Sequence, residues 1–372
     1  MLSVFDGSAR ALEIVQVLSK HEWAFLSQLL RRGDAEETRL PLPSVLCNIL
    51  TELGPVYVKL GQLLSTRPDL LGEAYIEALS DLQANVPPVP WERVRPRLEE
   101  QLKCEVTQAF HSFEQAPIAA GSVGQVYRAT LRDGVPVAVK VLRPGIEAQV
   151  AEDGRLLRKI AALASATALG SQYDFTGLAD QVLDALGREL DFRIEAQNTL
   201  RLERCLEASS FVPEGQLRLP QVVQNLSGQR VLVLEWIDGD AILTDQARLS
   251  LSQGPGVGPT TTALLGAFVE QYFVEGFFHA DPHPGNLKVL SDGSVVLLDA
   301  GMVGVFDPRT RSNLLDLVLA LINQDGAWAT DLLEQIAPAA RGVKVDRQQL
   351  QRQLDALIAS SFSKPLEAVS YT

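Results

Sequence analysis

The sequence predicts an α+β chain of two lobes, a small β-rich one followed by a helical one, with a helical extension in front. Three observations carry that expectation. Apolar residues recur at helical spacing through residues 9–82. Short β-branched runs joined by an Asp-Gly turn follow Pro117, and helical spacing returns beyond residue 263, broken by one brief hairpin. The expected boundaries are 1–90 for the extension, 91–236 for the β-rich lobe with a helical insertion, and 237–372 for a helical lobe that looks shortened.

In the extension, Leu12, Val15, Leu18, Trp23, Leu26 and Leu30 predict a helix over 9–30. Ile49, Leu53, Val56, Leu60, Leu63 and Leu64 predict another over 44–82, after a polar link at Arg31–Pro43. The Pro-rich VPPVPW at 86–91 closes the region. Taken alone, Lys59, Gln62 and Arg67 read most simply as solvated helix residues. Next comes a small-residue loop, Ala119-Ala120-Gly121-Ser122-Val123-Gly124-Gln125, where backbone amides can approach a phosphate. Strands at Val126–Leu131 and Val135–Leu142 turn at Asp133-Gly134, and Lys140 ends the second of them. A lysine after such a loop is where a phosphotransferase grips nucleotide phosphates.

Residues 146–170 and 175–206 read as two long helical stretches. Leu178, Val182, Leu186 and Leu190 form a stripe on the second, and Asp191 and Glu195, four apart, are expected on one face. A helical acid facing Lys140 would hold it by a charge-assisted bond. Val231–Glu235 reads as a buried strand leading to Trp236-Ile237-Asp238-Gly239. Gln253–Pro259 reads as a mobile connection, Ala263–Phe278 as a buried helix, and Arg311–Ile322 and Arg347–Ile358 as amphipathic helices. No internal repeat or low-complexity segment stands out.

Composition narrows the function. The chain has 372 residues, 46% of them apolar, enough for a sizeable core. Its net charge of −13 argues against nucleic-acid binding, which depends on neutralising phosphates. Cys47, Cys104 and Cys205 are scattered and odd in number, which suggests a reducing compartment rather than a disulfide framework. The longest apolar runs, Ile160–Leu169 and Leu314–Ile322, fall short of the roughly 20 residues needed to span a bilayer. The amino terminus lacks the pattern of a secretory signal. A cytoplasmic protein is expected, with any membrane contact peripheral.

The chemistry concentrates in FFHADPHPGNLKVLSDGSVVLLDAG, residues 277–301. Asn286 follows five residues after Asp281, and a hairpin turning at Asp292-Gly293 would return Asp299 beside both. Two carboxylates and an amide oxygen suit magnesium, which clamps triphosphate oxygens while the remaining carboxylate orients a hydroxyl or water. H-x-D-x-x-x-x-N followed by D-x-G is the order of a protein-kinase-like catalytic loop and metal loop. His279, Asp281 and His283 could instead ligate zinc, but Pro282 and Pro284 forbid regular pairing there. The simpler reading of His279 is a packed imidazole holding the loop's backbone.

With these residues assembled, the chain resembles the UbiB-like atypical kinases, also called aarF-domain kinases, from about Leu46 onward. YVKLGQLLSTRPDLL, residues 57–71, looks like that family's K-x-G-Q element. The loop Ala119–Ser122, VAVKVLRPG around Lys140, ELDFRIEA around Glu189, FFHADPHPGN and LLDAG add to the likeness. The resemblance implies a bilobal protein-kinase-like fold that uses ATP or ADP with Mg2+. It implies nucleotide contacts from Ala119, Ala120, Gly121, Ser122, Val123, Lys140, and the hinge residues Glu235 and Ile237. Glu195 would be the helical partner of Lys140, Asp281 the catalytic aspartate, and Asn286 and Asp299 the metal ligands.

Lys59 and Gln62 would fold over the nucleotide pocket, with Lys59 taking part in catalysis, and Glu189 and Asp191 would face their helix. The implied setting is isoprenoid quinone or prenyl-lipid synthesis and homeostasis. A lipid or quinone-precursor ligand, quinone-biosynthesis proteins and a membrane surface are the implied partners. A silent nucleotide-binding scaffold and a small-molecule kinase of the aminoglycoside or choline type are the alternatives. Two departures from the family pattern stand out. The chain ends only 71 residues after Gly301, where relatives continue with further helices. The loop reads A-A-G-S where the family has a third alanine, so Gly121 adds backbone freedom at the phosphates. Native chain and Gly121→Ala are therefore expected to differ in autophosphorylation and nucleotide affinity; equal values in both assays reject this.

Overall fold

A computed structural model describes residues 9–21, 42–80, 82, 87–167, 170, 173–337 and 346–362. The expectations at 22–41, including Trp23, Leu26 and Leu30, lie outside the described residues. The chain divides into two compact units. The first runs to Gln197 and includes Gln221–Trp236; the second comprises Asn198–Pro220 and everything from Ile237.

The first unit opens with helices α1 (Ala9–Lys20), α2 (Pro43–Leu53), α3 (Pro55–Ser65) and α4 (Glu73–Ser80). The single helix expected over 44–82 is thus three. Gly54 sits at φ +99°, and Pro55 has no N–H to continue the ladder, so the chain breaks there and restarts. A turn through Thr66–Gly72 makes the second break. Helices α5 (Trp91–Leu102) and α6 (Val106–Ala109) lead into the sheet. Its strands are β1 (Phe110–Phe113), β2 (Ala119–Ala120), β3 (Gly124–Leu131), β4 (Pro136–Leu142) and β6 (Val231–Glu235). The order is β1-β3-β4-β6, with β2 also paired to β3.

Helices α7 (Ile146–Ser165), α8 (Phe175–Glu189) and α9 (Phe192–Ala208) follow β4. The stretch expected as one helix over 175–206 breaks at Leu190-Asp191. Asp191 therefore precedes α9 instead of sharing a helical face with Glu195. Its Oδ1 accepts the Arg193 N–H at 3.0 Å, as a residue at a helix start does. Val56, Val58, Leu79, Leu142, Val182 and Phe192 share one core, while Leu98, Phe110, Tyr127, Val139 and Val233 form a second beneath the sheet.

The second unit holds a four-stranded sheet ordered β5-β10-β9-β7 and a pair β11-β8. The strands are β5 (Leu217–Arg218), β7 (Asp240–Ala241), β8 (Phe277–His279), β9 (Leu287–Val289), β10 (Val295–Leu297) and β11 (Val303–Val305). Its helices are α10 (Asp245–Gln253), α11 (Val257–Glu270), α12 (Pro308–Ile322), α13 (Gly326–Ile336) and α14 (Arg347–Phe362). The expected helix 263–278 ends early. A π-helical turn, Gln271–Glu275, and Gly276 at φ +64° close it, and Phe277–His279 form a strand. The expected mobile connection at 253–259 is mostly taken up by the end of α10 and the start of α11. No helix among the described residues is long and apolar enough to cross a membrane.

One buried ion pair fastens α1. Arg10 donates to both oxygens of the fully buried Asp153 at 2.7 and 2.9 Å, and also reaches the Leu53 carbonyl at the end of α2. Burial pushes the Asp153 carboxyl upward in spite of Arg10. Removing Arg10 would leave that carboxylate uncompensated, so Arg10→Met is expected to cost about 3–5 kcal/mol in urea unfolding at pH 7. A folded-state pKa above the unfolded one means protonation favours the fold, so the deficit should shrink as pH falls. Arg10→Met/Asp153→Leu should recover most of it. A deficit that persists in the double variant would reject this account.

Candidate functional site

The structure collects the site residues into two groups, one in each unit. In the first, Lys140 pairs across the sheet with Leu232 and sits in the middle of the β3-β4-β6 ladders. Its ammonium lies 2.8 and 2.7 Å from the two oxygens of Glu195 and 5.1 Å from the centre of the Phe192 ring. Both partners come from the first turns of α9, whose start is fixed by the Phe192 N–H donating to Gln229 at 3.0 Å. Glu195 is buried, so the pair is shielded from water and stronger than a surface bridge.

The small-residue loop lies beside this pair in sequence and sheet. Ala119 and Ala120 pair with Val126 and Gln125, and the Gly121 N–H donates to the Gly124 carbonyl at 2.9 Å. Gly121 has an ordinary backbone conformation, and a Cβ there would meet only the Gly124 carbonyl, at 3.7 Å. Alanine would fit this conformation. Gly124 is different: a Cβ would press on the Val141 carbonyl at 3.1 Å and the Phe192 ring at 3.3 Å. Ser122 is half-buried and Val123 buried. Glu235 ends β6, where its N–H donates to the Gln221 carbonyl at 2.8 Å, while Ile237 is buried in the second unit.

Lys59 and Gln62 lie on α3. Lys59 pairs with Glu189 at the end of α8, and Gln62 donates to the Leu82 carbonyl at 3.2 Å. Between them, Gly61 makes room for its neighbours: a Cβ would meet the Leu50 side chain at 2.8 Å and the Leu82 side chain at 2.9 Å, so those methyls would have to shift. Asp191 pairs with Arg193, which holds its carboxyl below the usual range. The structure thus joins Glu189, and not Asp191, to the Lys59 helix.

In the second unit, Asp281, Asn286 and Asp299 belong to one hydrogen-bonded knot. The Asn286 amide nitrogen donates to the Asp281 carbonyl at 3.3 Å, and the Leu298 N–H donates to the Asn286 carbonyl at 2.8 Å. The β9-β10 hairpin, with Gly293 at φ +82°, brings Leu298 and Asp299 back to that loop. His279, 1% exposed, locks it. Its Nδ1 accepts the Asp281 N–H at 3.2 Å, so Nε2 carries the hydrogen and donates to the Asp299 carbonyl. Its own N–H donates at 3.0 Å to Gln271, a buried residue of the π-helical turn. The Asp299 carboxylate accepts the Gly301 N–H at 2.7 Å.

This donor set fits a hard divalent cation. With the Asn286 nitrogen donating to Asp281, its side-chain oxygen is the atom left to act as an acceptor toward a cation, and the Asp299 carboxylate, which also accepts the Gly301 N–H, supplies the charge. Sequence reasoning missed two anchors of the loop in the first unit. Buried Arg143 donates from Nε to the Gly121 carbonyl at 2.9 Å and from Nη2 to Pro87 at 3.0 Å. Buried Gln125 accepts the Val89 N–H and donates back to the Val89 carbonyl at 3.3 Å. Both look like ordinary strand or turn residues in sequence, and only their burial marks them.

Residues 81–332 match the ABC1 atypical kinase-like domain. An uncharacterized protein of Synechocystis is 41% identical over 98% of this chain and 91% of its own length. The chloroplastic protein ACTIVITY OF BC1 COMPLEX KINASE 1 of Arabidopsis thaliana is 37% identical over 87% of this chain, which spans 47% of that relative. The solved complex of Rv3197 with erythromycin, from Mycobacterium tuberculosis, aligns with a TM-score of 0.54 at 26% identity, covering 84% of this chain and 77% of that one. The fold is accordingly protein-kinase-like and α+β.

His279→Leu would strand the Asp281 N–H and the Asp299 carbonyl. A loss of about 2–4 kcal/mol in urea unfolding is expected, from two unmade part-buried bonds and the lost packing of a buried ring. A loss below 1 kcal/mol would show that the imidazole is not the lock.

Proposed function

The chain belongs to the ABC1 atypical kinase-like family, and from that membership we propose that it is an ATP- and Mg2+-dependent phosphotransferase or ATPase serving isoprenoid quinone or prenyl-lipid metabolism. The observation that carries the enzymatic part is the Lys140–Glu195 pair together with the hydrogen-bonded knot of Asp281, Asn286 and Asp299. A chain that had lost catalysis would have no need to keep a buried acid on this lysine and two acids with an amide in this loop.

In this reading Glu195 holds the Lys140 ammonium on the sheet, ready for the α- and β-phosphates of a nucleotide. The amides of the Ala119–Val123 loop donate to phosphate oxygens, and Glu235 and Ile237 flank the base. Asn286 and Asp299 would hold the magnesium, which neutralises charge building on the phosphate oxygens. Asp281 orients the attacking hydroxyl or water by accepting its hydrogen bond. The metabolic setting rests on the family likeness, which includes two chloroplastic relatives of Arabidopsis thaliana named ACTIVITY OF BC1 COMPLEX KINASE. A lipid or quinone-precursor ligand and peripheral contact with a membrane are part of the proposal.

Purified protein with Mg-ATP should release phosphate, faster with anionic liposomes and a phenolic quinone-precursor mimic. Asp299→Asn should reduce the rate by on the order of 10²-fold or more, and Glu195→Gln should raise the nucleotide KM. Nucleotide binding without turnover under every lipid condition would favour a silent scaffold instead.

A further inference from the structure

Two backbone amides of the small-residue loop donate to nothing among the described residues. Neither the Ser122 N–H nor the Val123 N–H has a hydrogen-bond partner among the described residues. The two lie in succession, as in the backbone nests that bind anions. Whether they point at a phosphate depends on the peptide planes that carry them. A trans peptide is planar, so the carbonyl of one residue and the N–H of the next point in opposite directions. Fixing the Gly121 carbonyl therefore fixes the Ser122 N–H.

Arg143 fixes that carbonyl. Its Nε donates to Gly121 at 2.9 Å, its own backbone N–H donates to the Val123 carbonyl at 2.9 Å, and its Nη2 donates to Pro87 at 3.0 Å. One residue thus orients the peptide planes on both sides of the Ser122-Val123 pair. It is buried, and burial pushes its guanidinium below the usual range, so these hydrogen bonds are made away from bulk water. The need is greatest at a glycine, whose backbone could otherwise swing freely. Pro87 and Val89 are held to the same region by Arg143 and Gln125, so the linker entering α5 is tied to the loop as well.

Resting on the nucleotide reading given above, we infer that Arg143 is the positioning residue of the phosphate loop: it turns the Ser122 amide toward the nucleotide and replaces the rigidity that Gly121 lacks. The inference predicts a coupling between positions 121 and 143 in nucleotide binding that exceeds their coupling in thermal stability, whereas a merely structural arginine would couple to its bonded neighbour in stability alone.

The test is a double-mutant cycle on the full chain, read by titrating a fluorescent ADP analogue with Mg2+ and by thermal unfolding in parallel. Arg143→Met should weaken binding about tenfold in the native background and only about threefold in Gly121→Ala, where alanine already narrows the backbone. Arg143→Lys, which restores one donor, should regain about half of the loss on a logarithmic scale. Should Arg143→Met fail to fold, Arg143→Lys in the two backgrounds carries the same comparison, with the larger loss expected beside Gly121. Equal losses in both backgrounds, or no loss, would overturn the positioning role while leaving nucleotide binding intact. A native chain that binds no nucleotide would overturn the nucleotide reading itself, and this inference with it.

Discussion

A loop that offers polar atoms to a ligand cannot satisfy those atoms internally, so something else must hold its shape. Here buried side chains that bond backbone groups do so. His279 clamps the Asp281 amide and the Asp299 carbonyl, while Arg143 clamps the Gly121 carbonyl and Gln125 the linker at Val89. Each leaves its loop with atoms that make no hydrogen bond among the described residues and could meet a ligand. The Asp281 carboxylate and the Asn286 oxygen are the examples in one unit, and the Ser122 and Val123 amides in the other. Such anchors are effective because a buried donor or acceptor left unpaired costs more than an average hydrogen bond contributes. A loop held in this way has few alternative conformations at comparable energy.

The ion pairs divide by what surrounds them. Lys140–Glu195 is partly buried, with the Lys140 ammonium over the Phe192 ring, so both the carboxylate and the ring constrain it. Lys59–Glu189 joins α3 to α8, helices that already share a core through Val58 and Leu186. Arg67–Asp69 and Arg193–Asp191 bind near neighbours in sequence on more exposed ground and contribute little to the fold. Only pairs of the first kind both position a functional group and resist exchange with water.

Much of this was legible in the sequence. The Asp292-Gly293 turn, the strand ending near Lys140 and the return of Asp299 toward Asn286 all follow from local turn chemistry and period-two patterning. The partnership of Lys140 with Glu195 was also expected, though through a helix that the chain does not make. Apolar periodicity runs unbroken through Leu190, and nothing in it marks a break just before Phe192. Apolar residues recurring on both sides of Gly54-Pro55 and of the Thr66–Gly72 turn likewise merged three helices into one. The anchors were illegible for another reason. An arginine or a glutamine in a strand signals exposure in general, and only the three-dimensional packing reverses that.

Gly61 and its neighbours bear on how the K-x-G-Q segment works. Because a Cβ at Gly61 would force methyls of Leu50 and Leu82 to shift, the glycine lets those side chains close over α3. Gln62 then bonds the Leu82 carbonyl, which fixes it in rotation, and Lys59 reaches Glu189, which fixes it against α8. All three residues are therefore committed to holding the helix in the first unit. A direct part for Lys59 in phosphate chemistry would require it to leave a half-buried carboxylate, stranding Glu189 unless another cation took its place. In this conformation what the three residues do is hold α3 in place, and the expected direct part of Lys59 in catalysis has no counterpart in its contacts.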